Sequence, residues 1–174
     1  MLQKYDKERK IILKIYTDGS FDKKRSMNST AYASIIVLEE TEEMYVVDII
    51  YGVNTDPNYT SMWNVGGEIW GVLVGMDYIS RQYNPSTIDI YYDYAGLGKW
   101  TTGQWKTNNP TTASYARYMQ NLAKSHTITY NQVPGHSNIL LNELADHYAK
   151  CGTSKYLKTG EVNTIVKEMV VPKI

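Results

Sequence analysis

A single cysteine, Cys151, stands in a chain of 174 residues, so no disulfide can close within it and a reducing compartment is expected. Apolar runs of roughly 18 residues or more are also missing, which excludes an ordinary membrane-spanning helix. The opening run from Met1 to Lys7 lacks the apolar core of a secretory signal, and a soluble cytoplasmic protein is the expectation. Phenylalanine occurs once against 16 Tyr and 4 Trp, so most rings carry a polar tip that can reach water or a nucleic-acid backbone. Net charge is absent, with 18 Lys and Arg balancing 18 Asp and Glu. That balance argues against a protein that grips nucleic acid mainly through a broad basic surface. It leaves a metal-dependent one open, because two divalent ions would bring four positive charges to an acidic site. No Pro/Gly/Ser-rich linker divides the chain, and 43% hydrophobic content suffices for one core.

The stretches Ile11 to Thr17, Thr30 to Leu38 and Glu43 to Val53 are rich in β-branched and aromatic residues, and short polar loops join them. They read as an antiparallel meander. From Gly66 to Ile79 the period changes, and Ile69, Val72, Leu73, Met76 and Ile79 recur at helical spacing with Glu68 in the first turn. Gly67, Gly71 and Gly75 recur every four residues there, a stripe suited to close packing on a neighbour. A strand from Thr87 to Tyr92, an irregular Trp-bearing segment, and a helix from Thr112 to Lys124 capped by Thr111 or Thr112 follow. A fifth strand, His126 to Val133, leads through Pro134 to Ser137 into a helix whose apolar face holds Leu141, Leu144, Ala145 and Tyr148. The order βββαβαβα implies an α/β fold: a five-stranded mixed sheet, three antiparallel strands then parallel ones, flanked by helices. Residues 1–10 are a lead-in, 11–151 a catalytic domain and 152–174 a C-terminal extension. Val162 to Val171 receives no assigned state.

Four carboxylates stand out by position. Asp18 and Asp93 each close an apolar strand, where sites form in such sheets, Glu68 opens a helix, and Asp146 lies on the last one. Singly, each has an ordinary reading: a turn former in Asp18-Gly19, a favourable charge near a helix start at Glu68, a strand-end turn at Asp93, a solvated face at Asp146. Together they make a site for hard divalent cations. Mg²⁺ prefers oxygen ligands and keeps several of its waters, whereas one Cys and three His are too few for the usual zinc cage. Two such ions suit phosphodiester hydrolysis. His136, in a Pro-Gly-His-Ser loop before the helix of Asp146, is the candidate proton carrier. His126 and His147 read as structural or solvent-facing.

Four motifs in order resemble the type I ribonuclease H family: Ile15 to Ser20, Asn64 to Glu68, Ile90 to Asp93, and Val133 to His136 with Asn142 to Asp146. The last is the most specific. The resemblance spans about Ile11 to Cys151 and implies the ribonuclease H-like fold. It implies that Asp18 bridges two Mg²⁺ ions (Mn²⁺ being the substitute), that Glu68 and Asp93 complete one site, that Asp146 supports the other, and that His136 assists turnover. It implies endonucleolytic hydrolysis of RNA paired with DNA, leaving 5′-phosphate and 3′-hydroxyl ends. Asn64 matches a minor-groove contact, and the segment Trp100 to Lys106 matches the part that touches the DNA strand, with Trp105 and Lys106 as contacts. Two features depart from the pattern: Asn28 to Tyr32 replaces a glycine-rich turn, and no arginine stands just before Asn64. A weak phosphate grip and low processivity are therefore expected. The alternatives are another nuclease or strand-transfer protein on this fold, or a non-catalytic hybrid-binding module. A monomer is the default.

Overall fold

The computed structural model describes residues 11–25, 28–40, 43–134 and 139–167. The elements run β1 (Ile11–Ser20), β2 (Thr30–Glu40), β3 (Glu43–Asn54), α1 (Pro57–Thr60), α2 (Asn64–Gln82), β4 (Thr87–Tyr92), α3 (Gly96–Thr101), α4 (Pro110–Leu122), β5 (Thr127–Gln132), α5 (Leu140–Thr159) and β6 (Asn163–Lys167). They build one sheet in the order β5-β4-β1-β2-β3-β6. The meander β1-β2-β3 is antiparallel, and β4 and β5 join parallel to β1, as the alternation of strand and helix requires.

The sheet has six strands where five were expected. β6 pairs antiparallel with β3 from Asp48↔Lys167 to Gly52↔Asn163, and the Tyr32 hydroxyl donates to the Asn163 side chain. Its run Thr164-Ile165-Val166 is β-branched but short, and its partner lies more than a hundred residues earlier, so local pattern alone could not place it. Residues 152–159 continue α5, which ends on Gly160 in the left-handed conformation, φ 74°.

β1 lies near the middle of the sheet, and both of its faces are covered. Leu13 and Ile15 join Ile36, Ile69, Val72, Met76, Ile88 and Ile90 in a core under α2. Tyr16 joins Ile35, Val37, Ile49, Leu141 and Ala145 under α5. Double burial is what a nearly continuous apolar run such as Ile11 to Tyr16 is suited to. The tyrosines earn their hydroxyls here. Tyr115 is fully buried and donates to the Leu97 carbonyl at 2.7 Å, while Tyr16 stacks on Tyr91 at 4.4 Å between centroids.

Three helical details differ from the sequence expectation. α2 begins at Asn64, two residues before Gly66 where the sequence reading starts it, so Glu68 lies in its second turn and not its first. The cap of α4 is Asn109, whose side chain accepts from the Thr112 amide at 2.9 Å, with Pro110 following it in the first turn. The Trp-bearing segment after β4 contains the short helix α3.

The glycine stripe of α2 lies against β1 and β2. A Cβ on Gly67 would stand 2.1 Å from the Ala31 carbonyl oxygen, and one on Gly71 would stand 2.3 Å from Thr17 Oγ1. Helix and sheet therefore approach more closely than any side chain at these positions permits. Gly67→Ala is expected to lower stability by about 2 kcal/mol, because overpacking against backbone outweighs the roughly 1 kcal/mol gain in helix propensity. Thermal unfolding checks this: a fall in Tm of about 5 °C is expected, and a Tm at or above the parent's would contradict the close packing.

Candidate metal centre

The parallel register of β1 and β4 positions two of the acids. Tyr16 pairs with Tyr91, so Asp18 and Asp93 both stand two residues further along neighbouring strands. Asp18 still belongs to β1, which runs on to Ser20, whereas Asp93 follows the last residue of β4. α2 brings the third acid. A Cβ on Gly19 would stand 2.2 Å from the Asn64 carbonyl oxygen and 2.5 Å from the Glu68 amide nitrogen, so the start of α2 closes directly onto the end of β1. Asp18, Glu68 and Asp93 each offer an oxygen atom within 4.8 Å of the others. Glu68 is almost wholly buried, 1% exposed, and Asp18 is 8% exposed.

Backbone amides hold the cluster in place. Glu68 Oε1 accepts from the amides of Asp93 at 3.1 Å and Tyr94 at 3.2 Å. Asp18 Oδ1 accepts from the Gly19 amide at 2.9 Å. These donors do not neutralise three like charges. Burial, then the neighbouring Asp93 and Asp146, push the Asp18 carboxyl up to about 8, against the lowering effect of the Gly19 amide. Burial, then Asp93 and Asp18, push Glu68 well above the usual carboxylate range. A divalent cation is the counter-charge such a group of hard oxygen donors fits, and the spacing of the three oxygens suits a shared ion.

Asp146 reaches this group from α5. Its charge helps to raise the Asp18 carboxyl, and its Oδ2 is paired with Lys150 Nζ at 2.9 Å one turn along the helix. It stands outside the trio whose oxygens converge. His136 falls in 135–138, outside the described residues. Asn64 is exposed as the first residue of α2. Trp105 is 38% exposed and connects to the cluster through Tyr94, whose amide binds Glu68 and whose ring meets Trp105 edge-on at 6.1 Å. Lys99 Nζ lies 5.1 Å from the centre of the Trp105 ring. Trp105 and Lys106 line a shallow pocket of about 540 Å³ with Asn108, Arg117 and Gln120. A larger groove of about 780 Å³, lined by Trp70, Leu73, Tyr118 and Val162 among others, contains none of the four acids.

Sequence reasoning missed Lys150 and Gln132, whose Nε2 donates to the Asp93 carbonyl at 3.2 Å. Lys150 had a readable signal, since it lies four residues after Asp146 on one helix face. His126 is structural: it is 6% exposed, with Nδ1 2.5 Å from the Pro85 carbonyl oxygen.

The architecture is a mixed α/β sheet with acids at the ends of adjacent parallel strands, met by a third from the first long helix. The RNase H family model matches residues 10–154, and the chain belongs to that family. Among solved structures, RNase H1 from the archaeon Halobacterium salinarum superposes with a TM-score of 0.63 at 19% identity, covering 83% of this chain and 98% of that one. The N-terminal RNase H domain of a Mycobacterium tuberculosis protein gives a TM-score of 0.63 at 17% identity, over 87% and 99% of the two chains. LC11-RNase H1, solved in complex with an RNA/DNA hybrid, gives 0.59 at 13% identity, over 84% and 99%. No curated protein sequence matches the chain significantly. No helix among the described residues is long and apolar enough to cross a membrane.

The raised carboxyls set a pH dependence with a definite sign. Asp18 binds its proton more tightly folded than unfolded, so its contribution is intact below about pH 4 and is lost as pH rises towards about 8. Without a cation, Asp18→Asn is expected to raise Tm at pH 8 by about 3 °C or more, with the gain shrinking towards pH 4. Scanning both proteins in chelator across that range checks it. Equal Tm values at pH 8 would mean that burial and neighbouring charge do not penalise the ionised Asp18.

Proposed function

We propose that this chain is a divalent-metal-dependent endonuclease that hydrolyses the RNA strand of RNA/DNA hybrids, leaving 5′-phosphate and 3′-hydroxyl ends. The observation that carries the reading is the convergence of Asp18, Glu68 and Asp93, from three separate elements, on one buried spot. Membership of the RNase H family supports it. So does the hybrid bound to LC11-RNase H1, a protein of similar fold.

Asp18, Glu68 and Asp93 would hold one Mg²⁺ ion, and Asp18 with Asp146 a second, Mn²⁺ being the substitute. Such a pair, when bound, activates water, offsets the charge of the phosphate and stabilises the departing oxygen. The protein's share is to fix the donors. Glu68 cannot swing away, because two amides grip one of its oxygens. Asp146 is steadied by Lys150, which keeps a positive charge beside the site until a cation takes its place. His136 would carry a proton to or from the leaving strand near neutral pH.

Selection of RNA paired with DNA would rest on the minor groove and the RNA 2′-hydroxyls. Asn64, exposed at the start of α2 beside Gly19, would read that groove. Trp105 and Lys106, on the far side of Tyr94, would pack against and charge-pair with the DNA strand. The enzyme would act as a cytoplasmic monomer.

Incubation with labelled RNA/DNA hybrid, double-stranded RNA and single-stranded RNA tests this. Cleavage confined to the hybrid and abolished by chelator is the expected result. Asp93→Asn should lower the rate by about 10³-fold, the several kcal/mol a metal-held charge contributes. An uncut hybrid at high protein concentration with Mg²⁺ present would sink the proposal.

A further inference from the structure

The acidic cluster repels the phosphates it would have to approach, and the chain carries no net positive charge to compensate. Cations near the cluster therefore matter. Three in succession, Lys23, Lys24 and Arg25, occupy the turn that follows β1 and are exposed. The turn is locally built. Lys24 N donates to Asp22 Oδ1 at 2.9 Å, Arg25 N donates to the Asp22 carbonyl at 3.2 Å, and Arg25 Nη2 donates to Ser154 Oγ on α5 at 2.9 Å.

Trp63 faces this turn in an unusual way. Its backbone has φ 57° and ψ −131°, a conformation that residues with side chains rarely adopt and that costs about 1–3 kcal/mol. The Thr30 hydroxyl holds its carbonyl at 2.5 Å, and its amide donates to the Thr60 carbonyl at 3.1 Å. Burial does not offset the strain, because Trp63 is 53% exposed. Its ring lies nearly parallel to that of Phe21, at 6.2 Å and 17°, and Lys23 Nζ lies 4.9 Å from its centre. The result is an outward-facing aromatic pair fringed by cations. It adjoins the cluster through the chain itself, as Phe21 is three residues after Asp18 and Trp63 five before Glu68.

We propose that Trp63, Phe21 and the turn Lys23–Arg25 form a nucleic-acid-binding lip, gripping a sugar–phosphate strand as it enters the acidic cluster. The proposal rests on the hybrid-nuclease reading. A flat ring packs on ribose or base while flanking cations pair with phosphates, which is the chemistry of single strands and groove edges. A protein partner fits less well, since two rings are far too little apolar surface for a stable interface of about 1,200 Å² or more.

Trp63→Gly is the informative variant. Glycine adopts this backbone without strain, so a merely structural Trp63 and a binding Trp63 predict different outcomes. Labelled hybrid is titrated by anisotropy with Ca²⁺ in place of Mg²⁺, and steady-state cleavage is measured with Mg²⁺. For Trp63→Gly we expect Kd and KM to rise about tenfold, the effect of losing one stacked ring, with a smaller effect on kcat and a Tm equal to or above the parent's. For the doubly substituted Lys23→Gln/Lys24→Gln, the slope of log Kd against log salt should fall by about 1.5, two phosphate contacts' worth. If Trp63→Gly proves too unstable to assay, this exposed pair decides alone: an unchanged slope overturns the lip and a reduced one supports it. Parent-like Kd and KM in Trp63→Gly would overturn the lip while leaving the nuclease reading intact. Trp63-dependent binding by a parent protein that cuts nothing would do the reverse.

Discussion

Two buried carboxylates and a half-buried third, held close enough to share one cation, are the constraint around which the rest of this structure is arranged. Each would be better off alone. Burial and mutual repulsion raise Asp18 and Glu68 far from their ordinary acidity, so the folded chain keeps the cluster at a cost to its own stability. Such a cost persists only where the surrounding structure over-determines the positions. Here the parallel pairing of β1 with β4 sets Asp18 and Asp93 level, and the bare Gly19 lets the start of α2 close over the strand end with Glu68.

The same constraint explains the glycine stripe. For Glu68 to reach the strand ends, α2 has to lie nearly on the backbones of β1 and β2, and Gly67 and Gly71 are where no Cβ fits. The core beneath the helix, from Leu13 and Ile15 to Val72 and Met76, supplies the apolar burial that offsets crowded charge at its end. On the other face, α5 packs Leu141 and Ala145 against Tyr16 and Ile35 and so carries Asp146 up to Asp18. Stability and chemistry are divided along the elements: apolar middles hold, polar ends act.

The acids were legible in the sequence because each stood at a change of pattern, where an apolar strand gives way to glycine or tyrosine, or where helical periodicity begins. Their order along the chain, with Asn142 to Asp146, was enough to reach the family. What stayed hidden depends on contacts between distant residues. The start of α2 lay two residues earlier than its periodicity showed, since Asn64 and Val65 carry no helical signal of their own. β6 is a five-residue edge strand that only β3 makes recognisable. The strained backbone of Trp63 is fixed by the Thr30 hydroxyl from another element, and nothing in the local sequence Met62-Trp63-Asn64 announces it. Asn109 is hard to single out as the cap because Pro110 and two threonines follow it and offer competing starts.

The central claim is that Asp18, Glu68 and Asp93 form one site for a divalent cation, whose charge relieves the crowding that burial and repulsion impose on them. Calorimetric titration of Mg²⁺ at about pH 7, repeated in two buffers of different ionisation enthalpy, counts the protons released per ion bound. Because Asp18, raised to about 8, must ionise to serve as a ligand, binding with release of about one proton per ion is predicted. Binding without proton release, or no binding at millimolar Mg²⁺, would contradict it.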